Sequence, residues 1–101
     1  MSKSDIEDLG EALMLACDAS GYPAINRGRT SILAMPRDFV LANLERIASE
    51  RLDLDEEWHF RRLCELFALL DRSLLCRCCE MGRESRNREV REAVEDFAAS
   101  D

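Results

Sequence analysis

Asp53-Leu54-Asp55-Glu56-Glu57-Trp58-His59-Phe60-Arg61-Arg62-Leu63-Cys64-Glu65-Leu66-Phe67-Ala68-Leu69-Leu70 is the stretch on which the fold turns. Phe60, Leu63, Leu66, Phe67 and Leu70 recur at the three- and four-residue spacing that places side chains on one face of an α-helix. Asp53 or Asp55 supplies the expected N-cap, and Glu56 and Glu57 then stand where the helix dipole favours anions. On a wheel of 100° per residue the opposite side carries Trp58, Arg61, Arg62, Glu65 and Leu69. This helix therefore has large apolar residues on two sides. It is expected to lie centrally, one side packed by its own domain and the other covered by a neighbour or a partner.

The same period extends in both directions. Upstream, Ser4 with Glu7 reads as a capping box, followed by the stripe Ile6, Leu9, Leu13 and Ala16, and Ser20-Gly21 with Pro23 reads as its stop. Pro36 suits the first position of a helix whose stripe is Val40, Leu44 and Ile47, shouldered by Leu41 and Ala48 and fraying near Leu52. Downstream, Asp71-Arg72-Ser73 interrupts the pattern, and a short helix from Leu74 to Met81 is expected to end on Gly82 as its C′ glycine. A last helix follows a cap at Ser85 or Asn87, with Val90, Ala93, Val94 and Phe97 inward. Residues 20 to 35 have neither alternation nor a helical stripe and are expected to form a long loop, with Thr30 to Met35 the only stretch suited to a short strand. These readings predict a single all-α domain, residues 1–101, of four to five antiparallel helices.

Composition agrees with such a domain. The chain has 101 residues, 47% of them hydrophobic, enough to bury a core without a stapling metal or disulfide, and no cofactor is expected. No apolar run reaches the roughly 20 residues of a membrane span, and Met1-Ser2-Lys3-Ser4-Asp5 lacks the apolar stretch of a signal peptide, so a cytoplasmic location is expected. The net charge of −7 repels phosphate backbones and anionic lipid. Neither nucleic acid nor membrane is expected as a partner; a basic protein, or a second copy of the chain, fits better.

From helix 55–70 through the Gly82 turn to Glu89-Val90-Arg91-Glu92-Ala93, the sequence resembles a HEAT-type helical hairpin, in the order of its helices and in its Val-Arg-x-Ala opening. Asn87-Arg88 stands where that family often has Asp-Pro. The resemblance implies antiparallel helix pairs and protein binding.

Three constellations are candidates for function. Trp58, Arg61, Arg62 and Leu69 have the aromatic and arginine composition of a binding hot spot, against the alternative of a tryptophan covered by its own domain. Tyr22, Arg27 and Arg29 lie in the expected loop, where two guanidiniums around Gly28 could hold a phosphate or a partner's carboxylates. The competing reading has the apolar loop residues pinning it to the core while the arginines pair with surface carboxylates. The cysteines Cys76-Arg77-Cys78-Cys79 offer two thiolates at i and i+3, Cys76 and Cys79, to a soft metal or to redox chemistry. The favoured reading is packing, with Cys78 in the Leu74, Met81 stripe and Cys79 beside Leu75, all five cysteines being free thiols. His59 is read as a half-buried histidine bonded to a backbone carbonyl rather than as a general base. No nucleophile elbow, zinc-protease or nucleotide-loop motif is present, so no catalytic residue is expected. The sequence thus predicts a non-catalytic protein-interaction module, of the class that includes stoichiometric inhibitors and immunity proteins; a thiol-based metal or redox protein is the alternative.

Overall fold

In a computed structural model, which describes residues 3–18 and 21–99, the protein is all-α: α1 (Lys3–Asp18), α2 (Tyr22–Ala34), α3 (Arg37–Arg51), α4 (Glu57–Leu70), α5 (Arg72–Gly82) and α6 (Arg88–Ala99). No strand occurs among the described residues. The chain divides at Leu52 into two compact units, Met1–Leu52 and Asp53–Asp101, of three described helices each.

The six described helices exceed the expected four to five because the stretch expected to be a loop is a helix. Gly21, in extended conformation, precedes α2, and Pro23 occupies its first turn, where a missing N–H costs nothing. Ile25, Gly28 and Ile32 are its buried residues, spaced i, i+3, i+7. The stripe is invisible to a search for apolar side chains because its middle member has none. That absence is what the packing uses: a Cβ on Gly28 would lie 2.5 Å from Ala12 O and 2.5 Å from Ala16 N, so the backbones of α1 and α2 are in direct contact there. In this first unit Leu9, Leu13 and Ala16 of α1 are buried as expected, together with Val40, Leu44, Ile47 and Ala48 of α3, while Ile6 and Leu41 are half-buried. Pro36 sits one position earlier than expected, as the N-cap residue of α3. The Ser4 capping box and the Ser20 stop lie outside the described side chains; the helix itself runs from Lys3 to Asp18.

The second unit follows its stripes more closely. Phe60, Leu63, Leu66, Phe67 and Leu70 of α4 are buried, as are Val90, Ala93 and Val94 of α6, with Phe97 half-buried. The cap of α4 differs from expectation, whereas that of α6 is one of the two expected. Glu56, not Asp53 or Asp55, caps α4, its Oε2 accepting the His59 N–H at 2.9 Å. The two aspartates are engaged elsewhere: Asp53 Oδ1 accepts the Asp55 N–H at 3.1 Å, and Asp55 Oδ1 accepts the Ser85 hydroxyl at 2.6 Å. Asn87 Nδ2 donates to Asp55 O at 2.9 Å, so the turn before α4 is tied to the turn before α6. Asn87 also caps α6, its Oδ1 accepting the Glu89 N–H at 2.9 Å. Asp71 both ends α4 and caps α5, accepting the Ser73 N–H at 2.7 Å. Gly82 is not a left-handed C′ residue. It is the last residue of α5, no described glycine has positive φ, and its Cβ would meet Phe60 Cζ at 2.5 Å and Val94 Cγ2 at 2.6 Å. The glycine is there so that α4 and α6 side chains can close over the end of α5. Met81 also departs from its expected inward place, at 46% exposure.

Candidate functional site

The second side of α4 is where large apolar surface is left open within the second unit. Trp58 is 57% exposed and Leu69 55%. Eleven residues apart, they fall within about 20° of each other on the helix. Between them the Arg62 guanidinium carbon stands 5.4 Å from the centre of the Trp58 ring, a cation–π arrangement, while Arg62 Nη1 donates to Glu65 Oε1 at 3.0 Å. Glu65 thus holds the guanidinium in the stripe, and Arg62 in turn fixes the ring. A flat aromatic surface with its cation already placed loses little side-chain freedom when a partner covers it.

Arg61 belongs to a different set. Its Nε donates to Glu57 Oε2 at 2.7 Å and its Nη1 to Asp96 Oδ2 at 3.0 Å, so it joins α4 to α6 rather than standing beside Trp58. Its hydrogen bond holds the Glu57 carboxyl below the usual carboxylate range, with a further contribution from Glu89; the same contact with Glu57 pushes the Glu89 carboxyl up. The pH consequence follows from the sign of each shift. Glu57, depressed in the folded state, contributes stability that is present above its unfolded value of about 4.3 and is lost as pH falls through its lower folded value. Glu89, raised, acts in the opposite sense at somewhat higher pH. Urea melts followed by Trp58 fluorescence should therefore show a midpoint that falls on acidification below the ordinary carboxylate range, opposed in part by Glu89. Arg61→Gln should flatten that fall; an unchanged acid limb would remove Arg61 as its cause.

Tyr22, Arg27 and Arg29 stand on a helix rather than in the expected loop. Two residues apart on α2, Arg27 and Arg29 diverge by about 200°. Arg27 is exposed and Arg29 half-buried. Tyr22 is 61% exposed at the start of α2 and shares its face with Leu33, 50% exposed, a residue that a loop at 20–35 gives no reason to single out. A helical reading of 22–34 would find Leu33, since it lies eleven residues after Tyr22, as Leu69 does after Trp58.

The cysteines are arranged differently from their order in the chain. Cys76 is exposed, whereas Cys64, Cys78 and Cys79 are buried. Cys64 of α4, remote in sequence, brings its Sγ to 3.7 Å from that of Cys78 in α5. Contact with Cys78 and burial push the Cys64 thiol far above its ordinary range; burial also pushes up that of Cys79. Among the described residues no group of three or more His, Cys, Asp or Glu side chains is arranged to hold a metal ion. His59 is half-buried, and its Nδ1 accepts the Asp53 N–H at 3.2 Å. One groove in the first unit, lined by Asp5, Asp8, Met35, Pro36 and Phe39, holds about 230 Å³. Another, between α5 and α6, holds about 200 Å³. Both are below the size of an ordinary small-molecule site. No helix among the described residues is long and apolar enough to cross a membrane.

No protein-family model matches the chain, and no match was found among curated proteins or among solved structures. The HEAT-type resemblance of residues 55–99 therefore rests on the order of its helices and on the Val90-Arg91-Glu92-Ala93 opening.

Proposed function

We propose that the chain is a non-catalytic protein-interaction module that docks a basic protein on the exposed face of α4. The observation that carries this reading is Trp58, more than half exposed, with Arg62 held against its ring and Leu69 further along the same stripe. Tryptophan and arginine are among the residues most enriched where binding energy concentrates. The net charge of −7 selects the partner. Two copies of so acidic a chain repel, whereas a basic protein is drawn in by the long-range field and released as salt screens it. The same charge disfavours nucleic acid. A small acidic helical chain acting in this way resembles a stoichiometric inhibitor, such as an immunity protein against a basic toxin.

The test begins with sedimentation of the isolated chain, expected to be monomeric. Proteins retained from the source lysate by the wild type and released by moderate salt are then identified, and the purified partner is titrated calorimetrically. Trp58→Ala should weaken binding by about 2 kcal/mol or more, roughly thirtyfold in Kd, with little change in melting because the side chain is largely in water. Binding unaffected by Trp58→Ala would overturn the α4 surface. A dimer that Trp58→Ala dissociates would overturn the basic partner in favour of self-association.

A further inference from the structure

The three buried thiols of the second unit do more than fill space. Cys64 and Cys78 touch at 3.7 Å across the α4–α5 pair, and the Cys79 thiol also interacts with Cys64. Cys79 is 6% exposed and opens onto the groove between α5 and α6, whose walls also include Cys76, Arg83 and Phe97. A route of sulfurs thus leads from the surface to the core. We propose that Cys64 and Cys78 are a dithiol that small-molecule disulfides oxidise to a buried crosslink between α4 and α5, with Cys79 as the thiol that first meets the oxidant.

The two sulfurs already stand in contact. Shortening 3.7 Å to a disulfide bond of about 2.05 Å requires each sulfur to move by about 0.8 Å, within reach of side-chain rotation. Among the described residues no group of three or more ligating side chains completes a metal site around the sulfurs. A disulfide is neutral, as the two thiols were.

The exchange balances in three displacements. The Cys79 thiol gives up its proton and, as thiolate, attacks one sulfur of R–S–S–R, forming a mixed disulfide and releasing RS⁻. Cys64 then gives up its proton and attacks Cys79 Sγ, which expels the second RS⁻ and forms a Cys64–Cys79 bond. Cys78 gives up its proton and attacks Cys64 Sγ, and Cys79 leaves as thiolate and recovers a proton. Two thiols have lost two electrons and two protons, and the small disulfide has become two small thiols.

The experiment treats the full chain with oxidised glutathione in native buffer, blocks remaining thiols by alkylation, and maps the digest by mass spectrometry. The expected product is lighter than the reduced chain by two hydrogens before alkylation, joins the peptides of Cys64 and Cys78, and leaves Cys17, Cys76 and Cys79 alkylated. The oxidised chain should also melt several degrees higher, because the crosslink restricts the unfolded α4–α5 segment. Cys79→Ser should slow the crosslink several-fold without changing its partners, which a merely structural cysteine would not do. Glutathione retained on Cys76 with Cys64 still alkylated, a Cys76–Cys79 bridge, or a product that stops at Cys64–Cys79 would each overturn the proposal. The wild-type map decides even if a cysteine variant folds poorly.

Discussion

Phe60→Ala is expected to destabilise the second unit by about 4 kcal/mol, a large share of the roughly 5–15 kcal/mol that holds most domains folded. Phe60 has no exposed surface, and its ring tip reaches the site that a Cβ of Gly82 would occupy, where Val94 of α6 also arrives. One ring therefore touches the end of α5 while standing on α4, at the place α6 approaches. Truncation removes the transfer energy of the ring and leaves a cavity walled by three helices, each anchored by its own cap, so collapse into the space is limited. Phe60→Leu, which keeps an apolar side chain of smaller volume, should cost about 1–2 kcal/mol. Urea denaturation followed both by circular dichroism and by the fluorescence of Trp58, the chain's sole tryptophan, measures this. A loss below about 1.5 kcal/mol for Phe60→Ala would mean that the unit repacks around the hole.

What is legible in the sequence, and what is not, divides along one line: whether the information is local. The stripes of α1, α3, α4 and α6 are local, since apolar residues at helical spacing need no knowledge of what they face, and their inward residues are for the most part buried. The caps of α4 are not local. Asp55 looks like a cap until Ser85 and Asn87, some thirty residues on, claim its side chain and carbonyl, and the task passes to Glu56. Arg61 looks like a neighbour of Trp58 because the wheel knows nothing of Asp96, its partner from α6. The Cys64–Cys78 contact is of the same kind. Only α2 is lost to a local error. Gly28 between two arginines has the composition of a flexible, cationic turn, whereas the glycine is a packing residue and the arginines lie on diverging sides of a helix. In the candidate surface Trp58, Arg62, Glu65 and Leu69 share one side by spacing, and the Arg62–Glu65 pair, three residues apart, is local as well.

Alanine at the three helical glycines should give three different results from one chemical change. Gly→Ala within a helix gains about 1 kcal/mol of propensity wherever it is made, so the differences must come from what the new methyl meets. At Gly10 of α1 it meets the Arg51 guanidinium, at 2.6 Å from Cζ and 2.8 Å from Nη1. That group is the far end of an exposed, flexible side chain and can swing aside, so Gly10→Ala should stabilise by about 0.5–1 kcal/mol. At Gly82 the methyl meets Phe60 and Val94 side-chain atoms inside the core, which can shift only against their own neighbours; overpacking should exceed the propensity gain by about 1 kcal/mol. At Gly28 it meets Ala12 O and Ala16 N, both at 2.5 Å and both backbone. No rotamer relieves that clash. The α1 and α2 helices must separate along their contact, loosening Ile25 and Ile32 from their buried positions, and Gly28→Ala should cost about 2–3 kcal/mol net, Gly28→Val more. Thermal melts by circular dichroism should therefore rank Gly10→Ala above wild type, Gly82→Ala below it and Gly28→Ala lowest. A Gly28→Ala chain that melts at or above the wild type would show that α1 and α2 do not pack backbone to backbone, and close helix approach would no longer account for a glycine in the middle of the α2 stripe.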